Sequence, residues 1–450
     1  VRWRIVRVLC IVLSVVAALP QRAAAQDQLS FIRDAEIETI IRTWWTPILH
    51  VAGLDPQAVH IYLVNDPTLN SFVAGGQNLF LNTGTLLRSA SPNQIIGIIA
   101  HETGHIAGGH LARSEQAMHN ATIAGIIAMA AGAAAAAASR SPDAGAAALL
   151  GGAGVTERSF LSFSVAQEAS ADHAALTFLD RTHQSARGLL DFFQILEQEE
   201  LLSGQREDPY LRTHPLTRDR VAYVREQVAK SPWSDAPDPP EWIVMHQRMK
   251  AKLDAFLGAP PQILAKYKAD DTSVPARYAR AVAYYRVPQL KQALALIDGL
   301  IAQEPNDPYF HELKGQMLFE NGRIQEALAP YQRAVELKPD NALLKIELAQ
   351  VELESNDAAL VPKAMTLLNT ASTFESDNGD LWRLLAVAYG RSGNMGMMAL
   401  SLAEQGMANG NFNDARQQAA RAIKLLPPGA QRQRAQDIAE DARRERARQD

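Results

Sequence analysis

With 450 residues, the chain is long enough for roughly two to four domains with buried cores. Its composition, 47% apolar and 21% charged, excludes a wholly disordered, collagen-like or polytopic membrane chain. A single cysteine, Cys10, excludes a disulfide framework and a cysteine-ligated zinc, and a formal charge of -5 argues against a nucleic-acid binder.

Residues 1–25 read as a secretory signal peptide. Arg2, Arg4 and Arg7 form a positive start, Val8 to Leu19 an apolar core too short to span a membrane, and Ala23-Ala24-Ala25 a small-residue cleavage site. Removing the leader takes away four arginines and the cysteine, so the expected mature chain is exported, acidic and free of thiols.

From Leu29 to about Leu54 apolar residues recur at helical spacing. Val59 to Val64 alternates like a strand, and Asn70–Ala74 and Asn78–Asn82 read as two more strands around a Gly75-Gly76 turn. Ser91-Pro92-Asn93-Gln94 then combines an N-cap serine, a proline at the first helical position and a glutamine placed for a capping box. This start signal launches a helix carrying Ile95, Ile98, Ile99 and His101-Glu102-Thr103-Gly104-His105.

Ala121 to Ala138 is uncharged, but mostly alanine, and a span there would put the candidate metal ligands on opposite sides of a membrane. Residues 121–155 are read instead as a helical hairpin or lid, one that could make transient membrane contact. Four prolines within residues 231–240 form a stiff linker, followed by an amphipathic helix from Glu241 to Leu257. From Val274 a repeat of 34 residues emerges. Pro305 and Pro339 end successive helical pairs, while Ala281, Tyr284 and Ala293, then Gly315, Ala327, Tyr331 and Ala334, fill the small and aromatic positions of a tetratricopeptide repeat. Later units, marked by Trp382 and Tyr389 and by Ala415, Ala422 and Pro427, are looser.

The chemistry is concentrated in HETGH. On a helix, His101 and His105 lie one turn apart on one face and suit a single zinc, while Glu102 is placed to move a proton beside it. A catalytic zinc needs a third protein ligand and an open position. Two groups compete for that third place. His110 lies nine residues after His101, about 180° round a continuing helix at 100° per residue, unless Gly108-Gly109 breaks it. Glu168, four residues before Asp172 on a second helical segment, offers a carboxylate ligand, with Asp172 free to hold a metal-bound histidine by its other ring nitrogen. The spacing favours Glu168.

HETGH, the downstream Glu168-x-x-x-Asp172, and Thr213-His214-Pro215 with Arg220 resemble the HtpX/prenyl-protease family of zinc metallopeptidases. The leader and the C-terminal repeats make the chain similar to the family's periplasmic beta-barrel assembly-enhancing group. That resemblance implies an α+β gluzincin-type metallopeptidase domain over residues 26–230, a linker and joining helix over 231–273, and an all-α tetratricopeptide-repeat solenoid over 274–450. It implies one zinc per chain on His101, His105 and Glu168, with Glu102 as general base. It further implies that the hairpin carrying Asn70, Gly75, Gly76 and Asn78 is the edge to which an extended substrate adds as a strand. His214 matches a position that approaches the zinc and holds the enzyme shut; oxyanion stabilisation is its alternative catalytic role. Arg220 is expected to pair with a carboxylate near the site. The expected activity is periplasmic zinc-dependent endoproteolysis of misassembled outer-membrane or envelope proteins, with protein substrates and envelope assembly machinery as partners of the repeats and no nucleic acid. A chaperone-like assembly adaptor with a mostly latent protease is the alternative.

Overall fold

The computed structural model describes residues 30–113, 164–203 and 214–449. The leader and residues 121–155, to which the sequence assigns export and a lid, lie outside the described residues. The described part comprises a small mixed sheet with packed helices, followed by helical repeats.

The sheet has the order β1-β2-β4-β3, formed by Phe31–Ile32, His60–Val64, Asn78–Asn82 and Ser71–Ala74 respectively. β2 and β4 run parallel, and the other neighbours are antiparallel. Its inner face buries Ile61, Leu63, Leu79 and Leu81, whereas Phe31, Tyr62, Phe80 and Phe72 stack across the other face. Among the described residues β3 is an edge, and Gly75 and Gly76 close its hairpin with β4 at positive φ.

Where periodicity suggests helix from Leu29, the chain instead pairs Phe31 and Ile32 with β2. The helix starts at Ala35 because Asp34, in extended conformation, caps it by accepting the Ile37 N–H. This N-terminal helix, Ala35–Ala52, buries Trp44 and Trp45 and ends at Gly53 in the left-handed region. A short helix, Thr83–Arg88, follows β4 without a clear signal in the sequence.

The motif helix, Pro92–Ala107, begins as its capping residues require: Ser91 accepts the Gln94 N–H at 3.3 Å. The reciprocal bond is displaced by one residue, since Gln94 Oε1 accepts the Ala90 N–H at 2.7 Å. Trp45 donates its indole N–H to the Thr103 hydroxyl at 2.8 Å, joining the N-terminal helix to the middle of HETGH. Residues 164–181 form a second motif helix. It crosses the first so closely that a Cβ on Gly104 would lie 2.7 Å from the Ala171 carbonyl oxygen. Only glycine permits that approach, and it sets how near Glu168 comes to the histidines.

The joining helix, Pro240–Leu257, leads into the short helix Pro260–Lys266 and then the repeats. Among the described residues these are the pairs Val274–Arg286 with Leu290–Gln303, Pro308–Glu320 with Ile324–Leu337, Ala342–Glu354 with Val361–Ala371, Gly379–Arg391 with Met395–Ala408, and Phe412–Leu425 with Ala430–Gln449. Ala281, Ala293, Ala327 and Ala334 are fully buried between paired helices, and Gly315 accepts the Tyr331 ring against its backbone.

The repeats grip the rest of the chain through buried charge. Glu36 meets Arg248 at 2.7 Å and Lys252 at 3.4 Å and accepts the Tyr278 hydroxyl at 2.8 Å. Arg248 also pairs with Asp307 and lies over the Phe310 ring, while Lys252 pairs with Asp34 and Glu312. Arg33 reaches Glu375 farther along the repeats, and Asn341 donates to Thr39.

Candidate metal centre

His101 and His105 point their Nε2 atoms at each other, 3.1 Å apart. From the second motif helix, Glu168 places Oε2 at 3.3 Å from His101 Nε2 and Oε1 at 3.3 Å from His105 Nε2. His214 joins them, so that one ligand atom from each of the four residues lies within 4.8 Å of the others. All four side chains are buried. Two imidazole nitrogens facing each other at this distance, closed by a carboxylate, match the two-nitrogen, one-oxygen donor set of a catalytic zinc site. The residues therefore fit the metal.

Behind the cluster, Asp172 Oδ1 accepts from His101 Nδ1 at 2.9 Å. Arg220 in turn holds Asp172 through Nε at 2.7 Å and Nη2 at 2.9 Å, meets Glu168 Oε2 at 2.9 Å through Nη1, and donates to the Pro215 carbonyl. Burial opposes ionisation of Asp172, but hydrogen bonds from Arg220 and His101 hold it below the usual carboxylate range. Arg220 thus ties both carboxylates of the second motif helix, Glu168 and Asp172, to the loop that carries His214.

Glu102, next to His101 in the motif helix, is wholly buried beside the cluster. Its Oε1 lies 3.6 Å from His214 Nε2, and the Ser71 side chain lies within reach of its carboxylate. Burial, opposed by His101 and reinforced by the Glu168 charge, pushes it up to about 8. Burial pushes His214 down to about 3, so its imidazole is neutral near pH 7. A buried carboxyl poised near neutrality beside a metal-type cluster is suited to moving a proton.

The hairpin residues named from the sequence occupy different places. Asn70 precedes β3, exchanging main-chain hydrogen bonds with the Thr85 hydroxyl. Ser71, on the inner face of β3, is among the groups that lower Glu102. Gly75, Gly76 and Asn78 lie at the far end of the hairpin, roughly 13 Å along from Ser71 at about 3.3 Å per residue, where Asn78 donates to the Gly75 carbonyl. Ser71 carries no motif in the sequence. Its alternation with Val73 on the core face was the one available signal.

His110 is neither with the ligand cluster nor on the opposite face that a continuing helix would give it. Gly109 adopts φ 61°, breaking the helix before it resumes at 110, and His110 Nδ1 comes to 3.0 Å from His105 Nδ1.

Residues 32–228 match the model of peptidase family M48, and residues 278–342 and 318–388 match tetratricopeptide-repeat models. The chain is 25% identical over 355 residues to a beta-barrel assembly-enhancing protease of Yersinia pestis, covering 74% of this chain and 68% of the relative. It is 24% identical to the Escherichia coli K12 protein of that name, over 73% of this chain and 67% of the relative. A putative beta-barrel assembly-enhancing protease of Vibrio cholerae is 25% identical, with 82% and 76% covered.

Proposed function

We propose that this chain, which joins a family M48 metallopeptidase domain to tetratricopeptide repeats, is a zinc-dependent endopeptidase that acts on misassembled envelope proteins. The observation carrying the reading is the convergence of His101, His105 and Glu168 on one point, with the buried carboxyl of Glu102 next to them in the same helix. The relatives' names support the envelope and assembly role, and the apolar leader supports the periplasm. Among the described residues, no helix is long and apolar enough to cross a membrane.

His101, His105 and Glu168 would hold one zinc, which supplies Lewis acidity towards a carbonyl oxygen and makes water more acidic. Glu102 takes the proton of the attacking water and passes it to the leaving amine. Asp172 fixes His101 through Nδ1, and Arg220 fixes Asp172. The edge that β3 forms among the described residues, flanked by Asn70 and the Gly75–Asn78 turn, offers main-chain groups to an extended substrate, and Ser71 puts that edge next to Glu102.

In the first repeats, Tyr278 and Glu312 are engaged by the chain's own N-terminal and joining helices. Partner binding is therefore assigned to later repeats, where Trp382, Tyr389, Met397 and Leu400 line a cavity of about 300 Å³. Incubating the purified protein with an unfolded outer-membrane protein tests the activity. Chelator should stop cleavage and added zinc restore it; cleavage indifferent to chelator would overturn the reading.

The second reading, an assembly adaptor with a latent protease, is favoured by the position of His214 inside the ligand cluster. Glu102→Gln separates the two in a strain lacking the wild-type copy: the adaptor survives the substitution, and the protease does not.

A further inference from the structure

His110 was set aside as a metal ligand because of its spacing, yet it is buried against one. Its ring is nearly perpendicular to that of His105, at 82°, with the centroids 5.0 Å apart. His105 turns Nε2 towards His101 and Glu168, which leaves only Nδ1 to face His110, at 3.0 Å. A neutral imidazole has one N–H and one lone pair. When His105 offers its Nε2 lone pair to a metal, its hydrogen sits on Nδ1 and needs an acceptor. His110 Nδ1 is the group in place to accept it, which puts the hydrogen of His110 on its own Nε2.

We propose that His110 is a positioning residue of the metal site, fixing the tautomer and ring orientation of His105 as Asp172 does for His101. The inference rests on the reading of His105 as a metal ligand.

The local backbone is built around this contact. The motif helix ends at Ala107, Gly109 breaks it at φ 61°, and the His110 ring packs back against His105. A Cβ on Gly108 would lie 2.4 Å from His110 Nε2, so the sequence keeps that space for the ring. The His110 carbonyl accepts from Gln167 Nε2 at 3.1 Å, and Gln167 directly precedes Glu168. The residue behind one histidine is thereby tied to the helix that supplies the carboxylate. The two histidines also differ in kind, since a carboxylate backs His101 and an uncharged ring backs His105.

The test measures zinc affinity of the full chain by competition with a chromophoric chelator, for His110→Leu, His110→Asn and His105→Ala. His110→Leu should weaken zinc binding by about 10–100-fold, the usual effect of losing such a partner. His110→Asn retains a carbonyl acceptor near the former Nδ1 and should recover most of that loss. Cobalt-substituted protein gives a second readout, a visible band shifted in the leucine variant and returned by asparagine. Circular dichroism of the metal-free proteins checks folding, and His110→Ala replaces the leucine variant if leucine does not pack. Unchanged zinc affinity in the leucine variant, or an asparagine variant no better than leucine, overturns the proposal. His105→Ala separates this failure from a deeper one. If it alone loses zinc, the metal reading stands and His110 has no part in it; if it also retains zinc, the metal reading falls.

Discussion

Arg220 donates two hydrogen bonds to Asp172, at 2.7 and 2.9 Å, with both side chains almost wholly buried. The guanidinium also lies over the Phe193 ring, 5.2 Å from its centroid, so it is fixed on the apolar side as well. Truncating it removes the charged partner of a buried Asp172 and leaves His101 Nδ1 as its remaining hydrogen-bond donor.

Arg220→Ala should therefore cost roughly 3–5 kcal/mol of folding stability, the usual penalty for breaking a buried pair from one side. Arg220→Lys should recover part of the stability but not the paired geometry at Asp172, because an ammonium cannot reproduce the fork. Thermal melts of the two variants, with zinc content measured alongside, decide it. An alanine variant as stable as the parent would show that the pair carries no such weight.

Glu168 reaches both histidine nitrogens at 3.3 Å, so Glu168→Gln removes the anionic donor while preserving volume. Zinc should be lost on dialysis under conditions where the unaltered chain keeps it, and peptidase activity should disappear with it. Metal content by atomic absorption is the measurement, and full retention would remove Glu168 from the ligand set.

Glu102→Gln has a different signature. Its carboxylate is not part of the close His101–His105–Glu168 contact set, so zinc should stay bound while turnover falls by roughly 10²-fold or more through loss of proton transfer. Near-normal cleavage by this variant would assign the proton transfer to another group.

Much of this site was legible in the sequence because its spacing is local. His101 with His105 and Glu168 with Asp172 are each one helical turn apart, and the capping residues before Pro92 announced the first helix. The place of His110 turned on whether Gly108-Gly109 breaks the helix, which spacing leaves open and the positive φ of Gly109 decides in favour of a break. The edge position of β3 was not derivable from alternation, since strand order depends on pairings distant in sequence; only the family resemblance pointed to it. The same holds for Glu36, Arg248 and Lys252. Each sits in an amphipathic helix where a charge ordinarily faces water, and only the docking of the repeats buries them together. The later repeats were faint because alanines such as Ala415, Ala419 and Ala422 meet the packing requirement with few of the aromatic markers.

That docking interface titrates. Glu312 is pushed upward to about 7 by burial, against the pull of Lys252, with the charges of Asp34 and Glu36 adding to the rise. A carboxyl raised on folding stabilises fully below its unfolded value near 4.5 and loses that contribution as the pH rises through the native value. Glu312→Gln does not titrate, so its melting temperature relative to the unaltered chain should climb between pH 4.5 and about 7. A constant difference across that window would show that Glu312 is ionised in the folded protein throughout.

His214 gives the prediction with two opposed outcomes. Its neutral ring stands 5.5 Å from the His101 ring and 5.3 Å from the His105 ring, and its Nε2 is 3.6 Å from Glu102. From there one of its ring nitrogens lies within 4.8 Å of the candidate ligand atoms of His101, His105 and Glu168, beside the proposed base. Pro215 restricts the backbone at His214, and Arg220 anchors the Pro215 carbonyl, so the ring is held in place from the same network that holds Asp172. If this arrangement is a resting state, His214→Ala should raise cleavage of an unfolded substrate and of the chain itself, because the fourth position is vacated. If the ring instead swings to donate to the oxyanion, the same substitution should lower turnover by roughly 10²-fold. The geometry favours the first outcome, since Nε2 now faces the carboxylate of Glu102 rather than an open oxyanion site. Steady-state cleavage by His214→Ala, with zinc content held equal to that of the parent, reads the sign directly. A rate unchanged from the parent would show that His214 neither blocks nor assists the reaction.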